Sequence, residues 1–193
     1  MIVRERKTKE TSIKLKLDVA GSQKIRIQTG HGFFDHMLHQ LAFHSGWDLE
    51  LTATGDLDVD DHHMVEDVAL VIGSALQEAW RACATSDAGM RRYGQRLLPM
   101  DDVLVLCAVD LSGRPYSKTR LRLKRESVGG LACEMVDHFF LSLAVAGCFT
   151  LHIRKITGKN HHHIIEASFK ALAQALREAL SPAPGAASTK GVL

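Results

Sequence analysis

Long apolar runs are missing from this sequence. The segment VLVLCAV at 103–109 has the length of a buried strand, and the charged N-terminus MIVRERKTKETS lacks the apolar core of a signal peptide. The four cysteines include no CxxC pair, which favours reduced packing residues over a disulfide framework or a thiolate metal site. We therefore expect a cytoplasmic protein that does not bind membranes.

A strong charge of either sign is also absent. The formal net charge is +2, so nothing in the composition favours nucleic acid as a partner. Hydrophobic residues make up 46% and charged residues 24% of the chain, which is typical of an ordinary globular domain. Histidine, in contrast, is abundant: eleven occur, and most of them lie in a few short stretches.

These stretches belong to an internal repeat. A shift of one hundred residues aligns HHMVE at 62–66 with HHIIE at 162–166, and the identity resumes farther along both segments. A shift of 102 aligns DHM at 35–37 with DHF at 137–139. Each HHxxE motif is thus preceded by an Asp-His pair, which indicates a duplicated unit.

The apolar spacing predicts the same order of elements in both halves. Alternation predicts a strand at 12–20, and KIRIQ after Gly21-Ser22 reads as the second strand of a hairpin. Helical spacing then predicts a helix at 33–46 that ends at Gly46, a strand at 47–55 and a helix at 62–84. The corresponding segments of the second half are 103–111, 116–124, 131–147, 149–156 and 161–180.

The predicted fold class is therefore α+β. We expect a two-layer α/β sandwich made of an internally duplicated ββαβα unit. The halves would span 1–92 and 93–182 within one compact domain, and the Pro, Ala, Gly and Ser-rich segment 183–193 would be a flexible C-terminal tail.

The HHxxE motif points to metal binding. On a helix Glu66 can stand beside His62 or His63, but adjacent histidines point about 100° apart. One histidine of each pair can therefore join its glutamate at one metal ion, while the other serves a second ion. Eight candidate ligands follow from the two copies and their upstream histidines: His36, His62, His63, Glu66, His138, His162, His163 and Glu166.

Shared between two metals, this set gives three imidazoles and one carboxylate for each ion. Such ligands suit Mn, Fe, Zn or Ni. Asp60 or Asp61 and Asn160 are natural N-caps of the two helices and are candidates to orient the imidazole rings.

Other interpretations remain open at this point. A single HHxxE is more often a solvated first turn of a helix, and two copies in register favour metal binding instead. A dinuclear metal phosphoesterase is one alternative function, because DLDVDD at 56–61 is similar to a phosphatase nucleophile motif, although the strand before it is too polar. A non-catalytic metal-binding protein is another.

Further motifs resemble those of one family along nearly the whole chain. They are FFDHML at 33–38, GDLDVDDHHMVED at 55–67, RYG at 92–94, PMD at 99–101, DLSGRP at 110–115, GKNHHHIIEASFKA at 158–171 and STKG at 188–191. With these motifs the sequence resembles the imidazoleglycerol-phosphate dehydratases. Departures such as Met64, where the family usually has threonine, fall outside the candidate ligands.

The resemblance implies a hydro-lyase of histidine biosynthesis with a fold similar to ribosomal protein S5 domain 2. The implied reaction is the metal-dependent dehydration of imidazole glycerol phosphate to imidazole acetol phosphate, for which we expect a metal-stabilised imidazolate. The resemblance further implies two Mn(II) ions per active site and a homo-oligomer of 24 subunits with sites between subunits.

It also implies roles for individual residues. The expected catalytic residues are Glu10, His36, Glu66 and Glu166, with Glu10 as the general acid or base. The expected residues for binding the small-molecule phosphate substrate are Glu10, His44, Arg92, Arg114, Lys170, Ser188 and Lys190.

Overall fold

The computed structural model describes residues 1–183, so Ser188, Lys190 and most of the predicted tail lie outside the described residues. The first half contains β1 (Ile2–Lys7), β2 (Thr11–Asp18), β3 (Ile25–Gln28), α1 (Gly32–Ser45), β4 (Asp48–Gly55) and α2 (His62–Thr85). The second half contains β5 (Tyr93–Met100), β6 (Val103–Asp110), β7 (Tyr116–Arg120), the short strands β8 (Ser127–Val128) and β9 (Leu131–Ala132), α3 (Cys133–Ala146), β10 (Thr150–Thr157) and α4 (His161–Leu180).

The two halves form two matching four-stranded sheets. Their strand orders are β1-β2-β4-β3 and β5-β6-β10-β7. At one edge of each sheet the pairing is antiparallel, between β1 and β2 and between β5 and β6. At the other edge it is parallel, between β3 and β4 and between β7 and β10. Alternate residues of β2 are buried against the helices, as the period of a half-buried strand requires. The predicted α+β fold with a duplicated unit is confirmed, and each half begins with one strand more than the pattern predicted.

The predicted hairpin between 12–20 and KIRIQ is wrong. Strand β2 has β1 on one side and β4 on the other, with Thr11 opposite Gly55, so no edge remains on β2 for β3. Gly-Ser is a local turn signal, whereas these pairings join segments that are distant in sequence. Strand β1 escaped prediction because most of its side chains are exposed and charged.

Each helix of the first half packs against a helix of the second half. Helix α1 packs on α4, and α2 packs on α3. At Gly73 the second contact is so close that a Cβ atom would lie 2.7 Å from the carbonyl oxygen of Leu143. Nearby, the indole nitrogen of Trp80 donates to the carbonyl oxygen of Gly147 at 2.8 Å. These contacts place the start of each HHxxE helix beside a helix of the other half.

No helix within residues 1–183 combines the length and the apolar character needed to cross a membrane. The division of the chain into halves at 92/93 stays a prediction.

Candidate metal centre

Two groups of metal-ligating side chains lie where these helices meet. One group contains His36 of α1 with His162 and Glu166 of α4, and the other contains His62 and Glu66 of α2 with His138 of α3; within each group the three ligand atoms lie within 4.8 Å of one another. Each group therefore combines a His-x-x-x-Glu pair from one half with a single histidine from the other half. The i,i+4 spacing places the histidine and glutamate of each pair on one helix face.

The distances are similar in the two groups. Nε2 of His62 and Nε2 of His138 each lie 3.4 Å from Oε2 of Glu66. In the other group, Nε2 of His162 lies 3.1 Å and Nε2 of His36 lies 3.7 Å from Oε2 of Glu166.

His138 shows that this arrangement fits a metal ion. Its Nε2 atom is buried and, within the described part of the chain, makes no hydrogen bond, because its approach to Glu66 does not have hydrogen-bond geometry. Buried polar atoms are nearly always paired. A buried ring nitrogen that faces an imidazole and a carboxylate is suited to coordinate a cation, and this set of nitrogen and oxygen ligands is compatible with Mn(II).

His63 and His163 belong to neither group, but both rings are held by carboxylates. Nδ1 of His63 lies 3.0 Å from Oδ2 of Asp56, and Nδ1 of His163 lies 3.1 Å from Oδ1 of Asp102. A carboxylate on one ring nitrogen is the usual way to orient a histidine whose other nitrogen binds a metal. Both rings are therefore held through Nδ1, and Nε2 of His163 also lies 3.6 Å from Oδ2 of the exposed Asp101.

The same carboxylates shift pKa values in this region. The hydrogen bond to Asp56 raises the pKa of His63, and the negative charge of Glu10 adds to the effect, so Glu10 lies within electrostatic reach of this ring. Hydrogen bonds from the Lys159 N–H and from His163 lower the pKa of Asp102 to about 2.

The predicted helix caps have divided roles. The side chain of Asn160 caps α4 by accepting from the N–H of His163 at 3.3 Å, and Asp60 accepts from the N–H of His62 at 2.8 Å. Asp61 instead accepts from the N–H of Ala132 at 2.7 Å, which ties the start of α2 to the residue before α3. Within residues 1–183, none of the three hydrogen-bonds to an imidazole ring. Asp56 and Asp102 do so instead.

Lys170 is engaged at the first group. Its Nζ lies 2.7 Å from Oε1 of Glu166, which leaves Oε2 facing the histidines. Burial alone would raise the pKa of Glu166, but the hydrogen bond and charge of Lys170 outweigh it and lower the pKa. His44 is close to the same pair: burial lowers its pKa, and the charge of Lys170 lowers it further.

The two arginines expected to bind phosphate both lie next to Asp110. Arg92 is buried and donates to Asp110 through Nε at 2.7 Å and Nη2 at 3.2 Å. Arg114 is 70% exposed and lies 3.7 Å from the same carboxylate. Close by, the N–H of Ala183 donates to the carbonyl oxygen of Ala88 at 3.1 Å. The end of the described chain thus lies beside the segment that leads to Arg92.

Glu10 is exposed in the turn between β1 and β2. Its carboxylate makes no hydrogen bond or ion pair with any residue from 1 to 183, in contrast to the carboxylates of Asp56 and Asp102.

The known proteins that this chain is similar to share one description. Residues 29–176 match the family model described as imidazoleglycerol-phosphate dehydratase. The chain is 50% identical over 192 residues to the imidazoleglycerol-phosphate dehydratase of Cereibacter sphaeroides, covering 97% of this chain and 96% of that protein. It is 49% identical over 174 residues to that of Saccharomyces cerevisiae, covering 89% and 77%.

Solved structures are similar over almost the whole chain. The crystal structure of IGPD from Pyrococcus furiosus in complex with (S)-C348 has a TM-score of 0.84 and 39% sequence identity, covering 98% of this chain and 100% of that one. The crystal structure of imidazoleglycerol-phosphate dehydratase from Staphylococcus aureus has a TM-score of 0.82 and 37% identity, covering 95% and 100%.

Proposed function

The chain belongs to the imidazoleglycerol-phosphate dehydratase family, hydro-lyases of histidine biosynthesis, and from this premise we propose that it dehydrates imidazole glycerol phosphate with two Mn(II) ions per active site. The observation that supports the metal requirement most directly is the pair of matching ligand groups around Glu66 and Glu166. Duplication yields two equivalent ligand groups, and the imidazole ring of the substrate has two nitrogens, so each group could supply one metal ion for one ring nitrogen.

The reaction is difficult without such groups. The hydroxyl beside the ring leaves, the neighbouring carbon loses a proton, and the resulting enol becomes the ketone imidazole acetol phosphate. No carbonyl in the substrate makes that proton acidic. Bound at the two ring nitrogens, Mn(II) ions would act as Lewis acids and favour the imidazolate form of the ring.

The chain's own residues supply the remaining functions. Glu10 is the proposed general acid or base, because its carboxylate is unengaged in the described structure and lies within electrostatic reach of His63. Arg92 and Arg114 are the proposed phosphate ligands from the family resemblance, because guanidinium suits phosphate; the two lie together beside Asp110, with Arg114 70% exposed. Ser188 and Lys190 remain proposed phosphate ligands from outside the described residues. Lys170 and His44 are proposed to face the substrate from beside Glu166.

We further propose that the active sites form between subunits of a homo-oligomer of 24 chains. His63 and His163 are absent from the ligand groups of their own chain, yet both rings are oriented through Nδ1. Each is suited to complete a ligand group of a neighbouring copy. This would bring all eight candidate ligands to metals. A cytoplasmic location is in keeping with four cysteines that are all free.

The direct test is turnover by metal-stripped protein. Imidazole glycerol phosphate is added with and without Mn(II), and formation of the ketone is followed. Ketone that appears only with Mn(II), together with two bound ions per chain, supports the proposal. Ketone without any divalent metal would refute the metal requirement.

The alternatives give different products. A phosphoesterase would release inorganic phosphate, and a storage protein would bind metal without consuming substrate. Asp56, the first aspartate of DLDVDD and the nucleophile that a phosphatase would need there, is instead engaged with His63.

A further inference from the structure

A buried carboxylate on α2 links that helix to the first hairpin. Asp67 follows Glu66 and is only 8% exposed. Its Oδ1 accepts from Nε of Arg6 on β1 at 2.8 Å, and its Oδ2 accepts from the hydroxyl of Thr11 on β2 at 2.5 Å. Both strands that enter and leave the β1–β2 turn are therefore tied to the helix that carries His62 and Glu66.

The turn between these strands is held in one conformation. The hydroxyl of Thr8 accepts from the N–H groups of Glu10 and Thr11, at 3.1 and 2.9 Å. Gly55 allows the turn to pack closely, because a Cβ atom there would lie 3.1 Å from the methyl group of Thr11 and 3.2 Å from the carbonyl oxygen of Glu10. Through Thr11, Asp67 thus acts on the residue next to Glu10.

The second half shows that the fold does not require these polar contacts. Arg6 pairs with Ile13 as Leu98 pairs with Val105, which makes Leu98 the counterpart of Arg6. The same shift of 92 residues makes Val103 the counterpart of Thr11. The shift of one hundred residues that aligns the two HHxxE motifs makes Ala167 the counterpart of Asp67. These three counterparts are all apolar and buried. Three apolar side chains thus fill the equivalent positions of the second half. A buried ion pair often stabilises a protein no more than apolar residues of similar size would.

The acids carried by the two turns are also used differently. Asp102, the counterpart of Glu10, accepts from the N–H groups of Lys159 and Asn160 and from His163. In the first half Asp56 orients the histidine, and Glu10 has no such task. The polar trio therefore accompanies the one turn whose carboxylate is unengaged.

We propose that Asp67 is a positioning residue, which with Arg6 and through Thr11 fixes the β1–β2 turn so that the Glu10 carboxylate meets the reacting carbon. This inference rests on the proposed role of Glu10. Its physical reason is that a displacement of about 1 Å in a catalytic group can reduce the rate by about 100-fold.

The test replaces the polar pair with the residues of the second half, in the double variant Thr11→Val/Asp67→Ala. We expect kcat to fall by about 10- to 100-fold while KM changes by less than about twofold, because all the proposed substrate contacts except Glu10 lie outside this turn. Thr11→Ser keeps the hydroxyl and should retain most of the activity. Lys16→Ala is the matched control. Lys16 lies on β2, like Thr11, and its loss removes only an exposed ion pair with Glu50 of β4, so this variant should behave as wild type.

A cycle with Glu10→Gln separates positioning from stability. If Asp67 acts through Glu10, the double variant should lower kcat little further once Glu10 is gone. An equal fold-loss in both backgrounds would overturn the inference, and so would unchanged kcat in the double variant or full activity of Glu10→Gln.

Amide hydrogen exchange gives a readout that does not require turnover. Residues 8–11 should exchange faster in the double variant, while α2 keeps its protection and the protein keeps two metals per chain. Unchanged exchange of the turn would overturn the inference even if the wild-type protein proved not to be a dehydratase. Failure of the wild type to form ketone would instead refute the proposed function.

Discussion

Lys170 makes the two ligand groups unequal, and this leads to a quantitative prediction about metal binding. Its Nζ lies 2.7 Å from Glu166, whereas the equivalent position beside Glu66, four residues along α2, is Leu70. A divalent ion held on the other oxygen of Glu166 would lie within about 6 Å of the ammonium group. Charges of +1 and +2 at that separation repel by about 1.4 kcal/mol even at the dielectric constant of water, which is about tenfold in Kd.

We therefore expect metal-stripped wild-type protein to take up Mn(II) in two classes that differ by at least about tenfold in Kd. Lys170→Leu should tighten the weaker class, and Leu70→Lys should weaken the stronger one. The assay is an equilibrium titration in which free Mn(II) is measured by electron paramagnetic resonance, without substrate. Substrate binding by Lys170 therefore cannot influence the result.

The stability of the metal-free protein provides a control, because Lys170→Leu should lower it while tightening Mn(II) binding. The side chain of Glu166 is only 8% exposed, so removal of its cationic partner should destabilise the metal-free protein. Lys170→Leu should then unfold at lower temperature without Mn(II) and recover when Mn(II) is added. If the variant binds metal no more tightly than wild type, the electrostatic reasoning is refuted.

Three further predictions concern the ligands and the fold. Glu66→Gln removes the carboxylate of one ligand group, so metal analysis should find one Mn(II) per chain, and two would contradict the assignment. Asp56→Asn should lower the pKa of His63 in the metal-free protein toward its ordinary value, as measured by NMR titration. In the wild type the raised pKa adds stability below about pH 6.5, and this stability is lost as the pH rises through the pKa of the folded protein. The free energy of unfolding of the variant should lack this pH dependence. Gly94→Ala would place a Cβ atom 1.9 Å from the carbonyl oxygen of Ala175 and should destabilise the protein by about 3 kcal/mol or more in chemical unfolding, unlike a substitution at an exposed position.

The sequence predicted the parts of the metal centre that depend on local geometry. Helical spacing predicted that one histidine of each pair would stand beside its glutamate and left open which one. In the structure these are His62 beside Glu66 and His162 beside Glu166, both at four-residue spacing. The same argument correctly separated adjacent histidines, since His63 turns away to Asp56.

What the sequence could not predict depends on contacts between distant segments. The partner of each His-x-x-x-Glu pair is a histidine of the other half, and this follows from how α1 packs on α4 and α2 packs on α3. Asp56 and Asp102 lie in connecting segments without periodicity, so no pattern pointed to them as the residues that orient the rings. The hairpin error has the same origin, because a Gly-Ser turn carries no information about which strand occupies the neighbouring edge.

The differences between the halves match the asymmetry of the proposed substrate. Its ring offers two nitrogens, which two equivalent ligand groups can serve, but its side chain has only one carbon that loses a proton. A single acid is therefore sufficient. Of the two corresponding turn acids, Glu10 and Asp102, Glu10 is the one without a hydrogen bond or ion pair within residues 1–183. The second half uses the corresponding Asp102 to cap α4 and orient His163. Duplication accounts for the two matching ligand groups, and divergence at positions such as Asp67 would account for the proposed proton transfer on one side.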